Sequence, residues 1–261
     1  MRGALTNYLD VAQITLYAFW LFFAGLIFYL RREDRREGYP LDTEAPAGRP
    51  LPRNTLLIPA PKTFRLSDGT VVSVPDDARA DRRPINAAKT EAWPGAPLTP
   101  TGDPMTAAVG PGSYAQRADR PSRAHGGGNL IAPLRVASNF AVAADTTNPI
   151  GYEVVTADRR RAGTVRDIWV DRAEALVRYY EVESQGAGAG AGKRVLVPVN
   201  FGDVDAKRRV LSVSALLAAQ LAQAPTTRDP DAVTLLEEDR IQAYFGAGTL
   251  YATPARTEPL L

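Results

Sequence analysis

Residues 11–30, VAQITLYAFWLFFAGLIFYL, hold no charged side chain and few polar ones. The run is apolar on every side, and at about 1.5 Å per helical residue it spans roughly 30 Å, the hydrocarbon thickness of a bilayer. It predicts a transmembrane helix over 11–30 behind a short N-terminus at 1–10. A cleaved signal peptide would show a basic start, a shorter apolar run and small residues at its end, whereas this run ends in Tyr29, Leu30 and Arg31. Arg31, Arg32, Arg35 and Arg36 crowd one flank and Arg2 stands alone on the other. The positive-inside rule therefore puts the N-terminus in the periplasm and the main body of the chain in the cytoplasm. Tyr8 and Tyr29 bracket the run, while Phe19, Trp20, Phe22 and Phe23 lie mid-span, facing either lipid or other membrane helices. Gly25 has no small residue four positions away to make a self-association motif.

Beyond the span the apolar period is lost. Fourteen of the 21 prolines fall between Pro40 and Pro121, which predicts an extended, proline-rich surface segment over 31–130. Such a segment is either a disordered tether or a strip laid over a partner. Residues 64–74, FRLSDGTVVSV, read as a hairpin turning at Asp68-Gly69, and that local order favours the strip.

Alternation of period two returns at Asn148. Short strands are predicted at 153–156, 164–171, 176–183, 194–199 and 209–213, closely connected, as in a small, mostly antiparallel β-barrel over about 148–215. Ser214 then caps an Ala/Leu-rich helix reaching about Gln223 and stopped by Pro225. A second helix is expected from Leu235 to Tyr244, with Glu237, Glu238 and Asp239 in the early turns where the helix dipole favours them, and an irregular tail beyond. The fold class is α+β: one N-terminal transmembrane helix, the extended segment, and a cytoplasmic domain at 131–261 with short helices after the barrel.

Composition narrows the chemistry. With 31 Lys and Arg against 29 Asp and Glu, the net charge of +2 gives no field suited to nucleic acid. The absence of Cys removes disulfides, thiolate metal sites, iron–sulfur clusters and cysteine nucleophiles. His125 is the single histidine, so acid–base chemistry would fall on one imidazole or on carboxylates. The pattern argues against an enzyme.

The Gly/Ala run at 186–192 followed by Lys193 and Arg194 resembles a phosphate loop only superficially. Ala187 stands where that motif needs Gly, Arg194 where it needs Ser or Thr, and the run joins two strands instead of a strand and a helix. A flexible hairpin connection is the better reading. His125, in Ala124-His-Gly-Gly-Gly-Asn129, has no second metal ligand beside it, though an exposed imidazole there can take up protons. Asp167, Asp171, Glu174, Arg178, Glu181 and Glu183 form a dense ionisable set in and between two adjacent strands. On a solvated face such ion pairs contribute little each; against a membrane-embedded partner, partly desolvated carboxylates can relay protons.

Ordered landmarks along nearly the whole chain resemble the H subunit of purple-bacterial photosynthetic reaction centres. They are Phe19-Trp20 and Ala24-Gly-Leu-Ile27 in the span, then Arg36-Glu-Gly-Tyr-Pro-Leu41, Pro61-Lys-Thr-Phe64, Thr101-Gly-Asp-Pro-Met105, Asn148-Pro-Ile-Gly151, Asp167-Ile-Trp-Val-Asp171, Val233-Thr-Leu-Leu-Glu-Glu-Asp239 and Leu250-Tyr-Ala252. The resemblance implies the PRC-type β-barrel named after this subunit, docked on the cytoplasmic face of the L and M subunits in the photosynthetic intracytoplasmic (inner) membrane. Membrane lipids and a light-harvesting antenna would be further neighbours. It implies a subunit that binds no cofactor itself, in a complex holding bacteriochlorophyll, bacteriopheophytin, quinones and non-haem iron, with or without a carotenoid. The implied work is to stabilise the L–M core, cap the quinone sites, tune electron transfer from primary to secondary quinone, and carry protons to the latter. Asp171, Glu174 and Arg178 match the family's positions near that proton path. One loop departs: an Asp and two His, a proton-uptake and metal-inhibition site in the family, align with Ala124, Gly126 and Gly128, and His125 is displaced by one residue.

Two other classes compete. A membrane-anchored adaptor could use the same barrel to bind a soluble protein, since fold alone does not set function. A hydrolase using Asp171 and Glu174 would need a cleft that the sequence does not indicate.

Overall fold

The computed structural model describes residues 10–36, 58–67, 69–76, 81, 83–93, 95–186 and 191–257. They fall into two compact units, Met1–Arg82 with Trp93–Gly95, and Arg83–Ala92 with Ala96–Leu261.

In the first unit α1 runs Val11–Glu33, and a 3-10 turn, Asp34–Arg36, continues it. Asp10 starts the helix through a reciprocal cap: its carboxylate accepts from the Gln13 amide at 2.7 Å, and the Gln13 side chain accepts from the Asp10 amide at 3.3 Å. No residue of α1 is buried, so the apolar surface predicted for a span stays on the outside. The helix overruns the apolar stretch because Arg31 and Arg32 suit the negative end of its dipole. The predicted hairpin is present as β1 (Lys62–Arg65) against β2 (Val71–Val74), with Phe64 opposite Val72. Its loop closes by Leu66 N–H to the Thr70 carbonyl at 2.8 Å and Gly69 N–H to the Leu66 carbonyl at 2.9 Å. Gly69 sits at φ +84°, a left-handed conformation that favours glycine; Asp68 lies outside the described residues.

The second unit begins with a two-stranded pair, β3 (Ala87–Lys89) and β4 (Leu98–Pro100). Its main sheet contains β5 (Ile131–Pro133), β6 (Glu153–Thr156), β7 (Arg161–Asp171), β8 (Leu176–Gln185), β9 (Ala191–Pro198), β10 (Asp203–Asp205) and β11 (Val210–Val213). The ladder order is β10-β11-β6-β7-β8-β9, antiparallel except for the parallel pair β11–β6, and β5 pairs with the far end of β7. The ends of the sheet, β10 and β9, are not hydrogen-bonded to each other, so the expected barrel is not closed through its ladder. Breaks in register between Val165 and Asp167 and between Trp169 and Val170 mark the bends in β7. The mostly antiparallel α+β reading stands. The strands β5 and β10, three residues each, are too short to have shown an alternating pattern.

Both faces of the β7–β8–β9 ribbon are covered. Val165, Ile168, Tyr180, Val182, Val195 and Val197 build an apolar core on one, and Trp169, Tyr179, Glu181 and Leu196 lie buried on the other. The Gly/Ala run joins β8 to β9, strand to strand, and its residues 187–190 lie outside the described residues.

Two helix expectations need correction. Ser214 is not a cap: α2 is Ala218–Gln223, and its first amides are met by Gln220 Oε1, which accepts from Leu217 N–H at 2.9 Å, and by Asp158 Oδ1, which accepts from Ala218 N–H at 3.3 Å. The tail after Tyr244 is not irregular: α3 runs Leu235–Tyr251. Its glycines permit close contact instead of ending the helix. A Cβ on Gly246 would lie 2.5 Å from the Pro111 carbonyl oxygen, and one on Gly248 2.5 Å from that of Ala215. Residues 105–112 thus lie along α3, with Met105, Ala107, Val109 and Gly112 buried. Arg256 closes the helix by donating to the carbonyls of Gly248 at 2.7 Å and Ala215 at 3.0 Å.

Gly248→Ala is expected to destabilise the protein by about 1–3 kcal/mol, the usual cost of forcing a methyl group into packed backbone. Thermal unfolding of the full chain in detergent measures it, and an unchanged midpoint would show that the α3 contact yields freely.

Candidate functional site

The β7–β8 turn carries two of the predicted residues. Asp171, the last residue of β7, is buried, and its Oδ1 accepts from the backbone amides of Ala173 at 2.9 Å and Glu174 at 3.2 Å. This is a local turn bond of the kind Asp favours. It leaves Glu174 exposed at the tip with its backbone fixed.

His125 reaches the same place through Arg172. Its loop closes on itself by Gly127 N–H to the Ala124 carbonyl at 2.9 Å and Ala124 N–H to the Gly128 carbonyl at 3.1 Å. Arg172 then fastens the loop to the turn: its Nη1 donates to the Asn129 carbonyl at 3.1 Å, and its backbone N–H donates to the Leu130 carbonyl at 2.9 Å. The pairing of Ile131 with Asp171 extends the seam. His125, Asp171 and Glu174 therefore share one end of the sheet, the imidazole exposed. Among the described residues no three His, Asp or Glu side chains gather as a metal site. Arg178 is set apart. It lies exposed on β8, and its positive charge acts on Glu238 and Tyr179.

The same ribbon holds a buried charge centre. Glu181 is only 1 % exposed, and its carboxylate accepts from Arg135 Nη1 at 2.8 Å, Arg194 Nη1 at 2.9 Å and Trp169 Nε1 at 2.8 Å. Arg135 also donates to Asp167 at 2.9 Å and Asp231 at 2.9 Å and to the Pro230 carbonyl. Burial works against the Arg135 charge, but the bonds to Glu181, Asp231 and Asp167 outweigh it and hold the guanidinium above its ordinary pKa.

Glu238, on the covered face of α3, is the acid that sequence reasoning placed but did not single out. Tyr179 Oη donates to its Oε2 at 3.2 Å. Burial pushes the Glu238 carboxyl up from its ordinary 4.5, and the Tyr179 bond with the charges of Arg178 and Arg117 offsets part of the rise. The signal was there in the helical period: Glu238 shares a stripe with Ile241 and Phe245, both fully buried.

Residues 3–136 match the family model described as the photosynthetic reaction centre H-chain N-terminal region, more than half of the sequence. The chain belongs to the reaction-centre H-chain family. Residues 144–217 of this H chain match the PRC-barrel domain, which covers β6 through β11 and the approach to α2. The family is that of a structural, accessory subunit associated with a photosynthetic reaction centre, and α1 fits a single-pass membrane protein.

Two outcomes follow. Glu181→Ala leaves two guanidinium groups and an indole N–H without their shared acceptor, and is expected to cost about 3 kcal/mol. Urea unfolding followed by Trp169 fluorescence checks this, and a loss under about 1 kcal/mol would show the arginines re-pairing with water. For Glu238, the raised folded pKa means that stability is full below the ordinary value and falls as pH rises from there through the folded value. Glu238→Gln removes that fall, so its advantage over the wild type should grow across the window and then level off. Melting curves from acid to neutral pH with a constant difference between the proteins would contradict it.

Proposed function

We propose that this chain caps the L and M subunits on their cytoplasmic side, stabilises that core over the quinone sites, and conducts protons toward the secondary quinone. The observation that carries the reading is the seam made by Arg172, which sets His125 and Glu174 at one end of the sheet in a member of the H-chain family. An exposed imidazole and an exposed carboxylate are both proton-carrying groups, and the turn bond to the Glu174 backbone amide keeps that carboxylate at the same end of the sheet. Asp171 acts on Glu174 as a positioning residue, since its Oδ1 already holds the turn amides. Arg178 adds a positive charge that favours the ionised state of nearby acids.

In this reading bacteriochlorophyll, bacteriopheophytin, quinones and non-haem iron reside in the partner subunits, and the H chain tunes electron transfer between the quinones through the electrostatics of its docked face. The N-terminus lies in the periplasm, and the sheet lies on the cytoplasmic side of the photosynthetic membrane. The net positive flank of α1 supports that orientation.

An affinity tag on this chain should bring down a pigmented complex with two further membrane subunits and near-infrared absorption. A colourless preparation with another partner would favour a membrane-anchored adaptor. In the pigmented complex, Glu174→Gln should slow the proton-coupled second reduction of the secondary quinone and leave primary charge separation intact, and unchanged flash kinetics would remove Glu174 from the path. His125→Ala should weaken inhibition of that step by zinc or cadmium. Equal metal sensitivity would place proton uptake elsewhere.

A further inference from the structure

A cleft of about 150 Å³ lies between residues 105–114 and α3. Met105, Ala108, Tyr114, Ala243 and Tyr244 wall it, with Met105, Ala243 and Tyr244 buried, and exposed Arg240 stands at its rim. No carboxylate of the described residues lines it. The wall is fixed and neutral: Tyr244 Oη donates to the Gln220 carbonyl at 3.0 Å, and burial with the charge of Asp103 pushes that hydroxyl up to about 12. Asp103 is committed to its own turn, where its carboxylate accepts from the Met105 amide at 3.0 Å and the Thr106 hydroxyl at 3.2 Å. The three acids that precede Arg240 on α3 are likewise taken. Glu237 accepts from the amides of Thr234 and Arg228, Glu238 accepts from Tyr179, and Asp239 pairs with Arg117 at 3.3 Å. Among the described residues Arg240 has neither an ion-pair nor a hydrogen-bond partner, and its guanidinium meets only the Tyr114 ring, 5.7 Å from the centroid. Arg83 brings a second guanidinium to the same ring at 4.2 Å.

We propose that this cleft binds a small aromatic carboxylate, its ring among Met105, Tyr114 and Tyr244 and its carboxylate on Arg240. Size, wall and charge each narrow the occupant. A space of about 150 Å³ takes one six-membered ring, which leaves out a nucleotide. Apolar and aromatic walls gain nothing from a hydrated inorganic anion, whereas they remove a ring from water and offer it edge and sulfur contacts. A planar guanidinium meets a carboxylate through two parallel hydrogen bonds, and Arg240 gives up no existing ion pair to do so. The inference is independent of the membrane and proton-path readings, because the cleft lies within the second unit and uses none of their residues.

The test is a ligand-observed NMR titration of the full chain in a nonionic detergent, with benzoate as the probe. Benzoate should saturate with a Kd on the order of 1 mM, within reach of a ligand this small. Acetate lacks the ring and benzamide lacks the charge, so each should bind at least about ten-fold more weakly. Arg240→Gln, at an exposed position, should weaken benzoate by about ten-fold and leave benzamide unchanged. Thr106→Phe, at the exposed lip, puts a ring across the mouth and should weaken both. No saturation up to about 20 mM benzoate would overturn the proposal. So would acetate binding as well as benzoate, or either variant binding benzoate as the wild type does, since the contact would then be a bare surface charge or lie elsewhere. A peptide ending in phenylalanine with a free carboxylate that displaces benzoate and binds more tightly would overturn the small-molecule assignment in favour of a partner's chain end.

Discussion

A carboxylate held away from water with three donors on it organises the second unit. Glu181 is bound by Trp169 from β7, Arg194 from β9 and Arg135 from the loop after β5, so one side chain joins three strands' worth of backbone. Burying a charge in this way is unfavourable unless its lone pairs are filled, and a single missing donor would leave the rest uncompensated. The sheet, its bend, and the loop at Pro230 and Asp231 are thus coupled, because Arg135 reaches all of them.

From that loop the coupling passes into α3. Thr234 caps the helix, Glu237 closes the reciprocal bond, and Asp119 from the proline-rich stretch accepts from both Thr234 and Arg228. Residues 105–112 then follow α3 at a distance that Gly246 and Gly112 allow, against Pro111 and Ala247 in turn. Part of the region that reads as a linker is therefore packed on the chain's own helix. Prolines suit it because an extended strip contacting a helix needs few ladder hydrogen bonds of its own.

The sequence was most readable where a period was long and uninterrupted. The span, the five main strands and the start of α3 all follow from patterns of several residues. What escaped it depended on contacts from far along the chain. Ser214 looks like a cap, but the amides it would serve are met by Asp158 and Gln220. Gly246 and Gly248 look like a stop, but they are openings for Pro111 and Ala215. The candidate site divides the same way. His125, Asp171 and Glu174 are visible as residue types, whereas Arg172, which brings them together, bonds through its side chain to a carbonyl and leaves no motif. The helical stripe of Ile241 and Phe245 sets both Glu237 and Glu238 apart from Asp239, but only the cap bond that occupies Glu237 at Thr234 separates those two, and the structure supplies it.

The continuation of α1 past its apolar stretch gives the first unit a rigid phase relation. Residues 31–36 keep helical geometry for roughly 9 Å beyond the hydrocarbon-length run, and Arg36 clamps the hairpin to their end. Height above the bilayer and angular heading are therefore indexed together: one inserted residue in that stalk would lift the hairpin by about 1.5 Å and swing it by about 100°. The stalk can tolerate changes of side chain far more readily than changes of length, and it makes residue count, as much as residue type, a determinant of which way the hairpin faces.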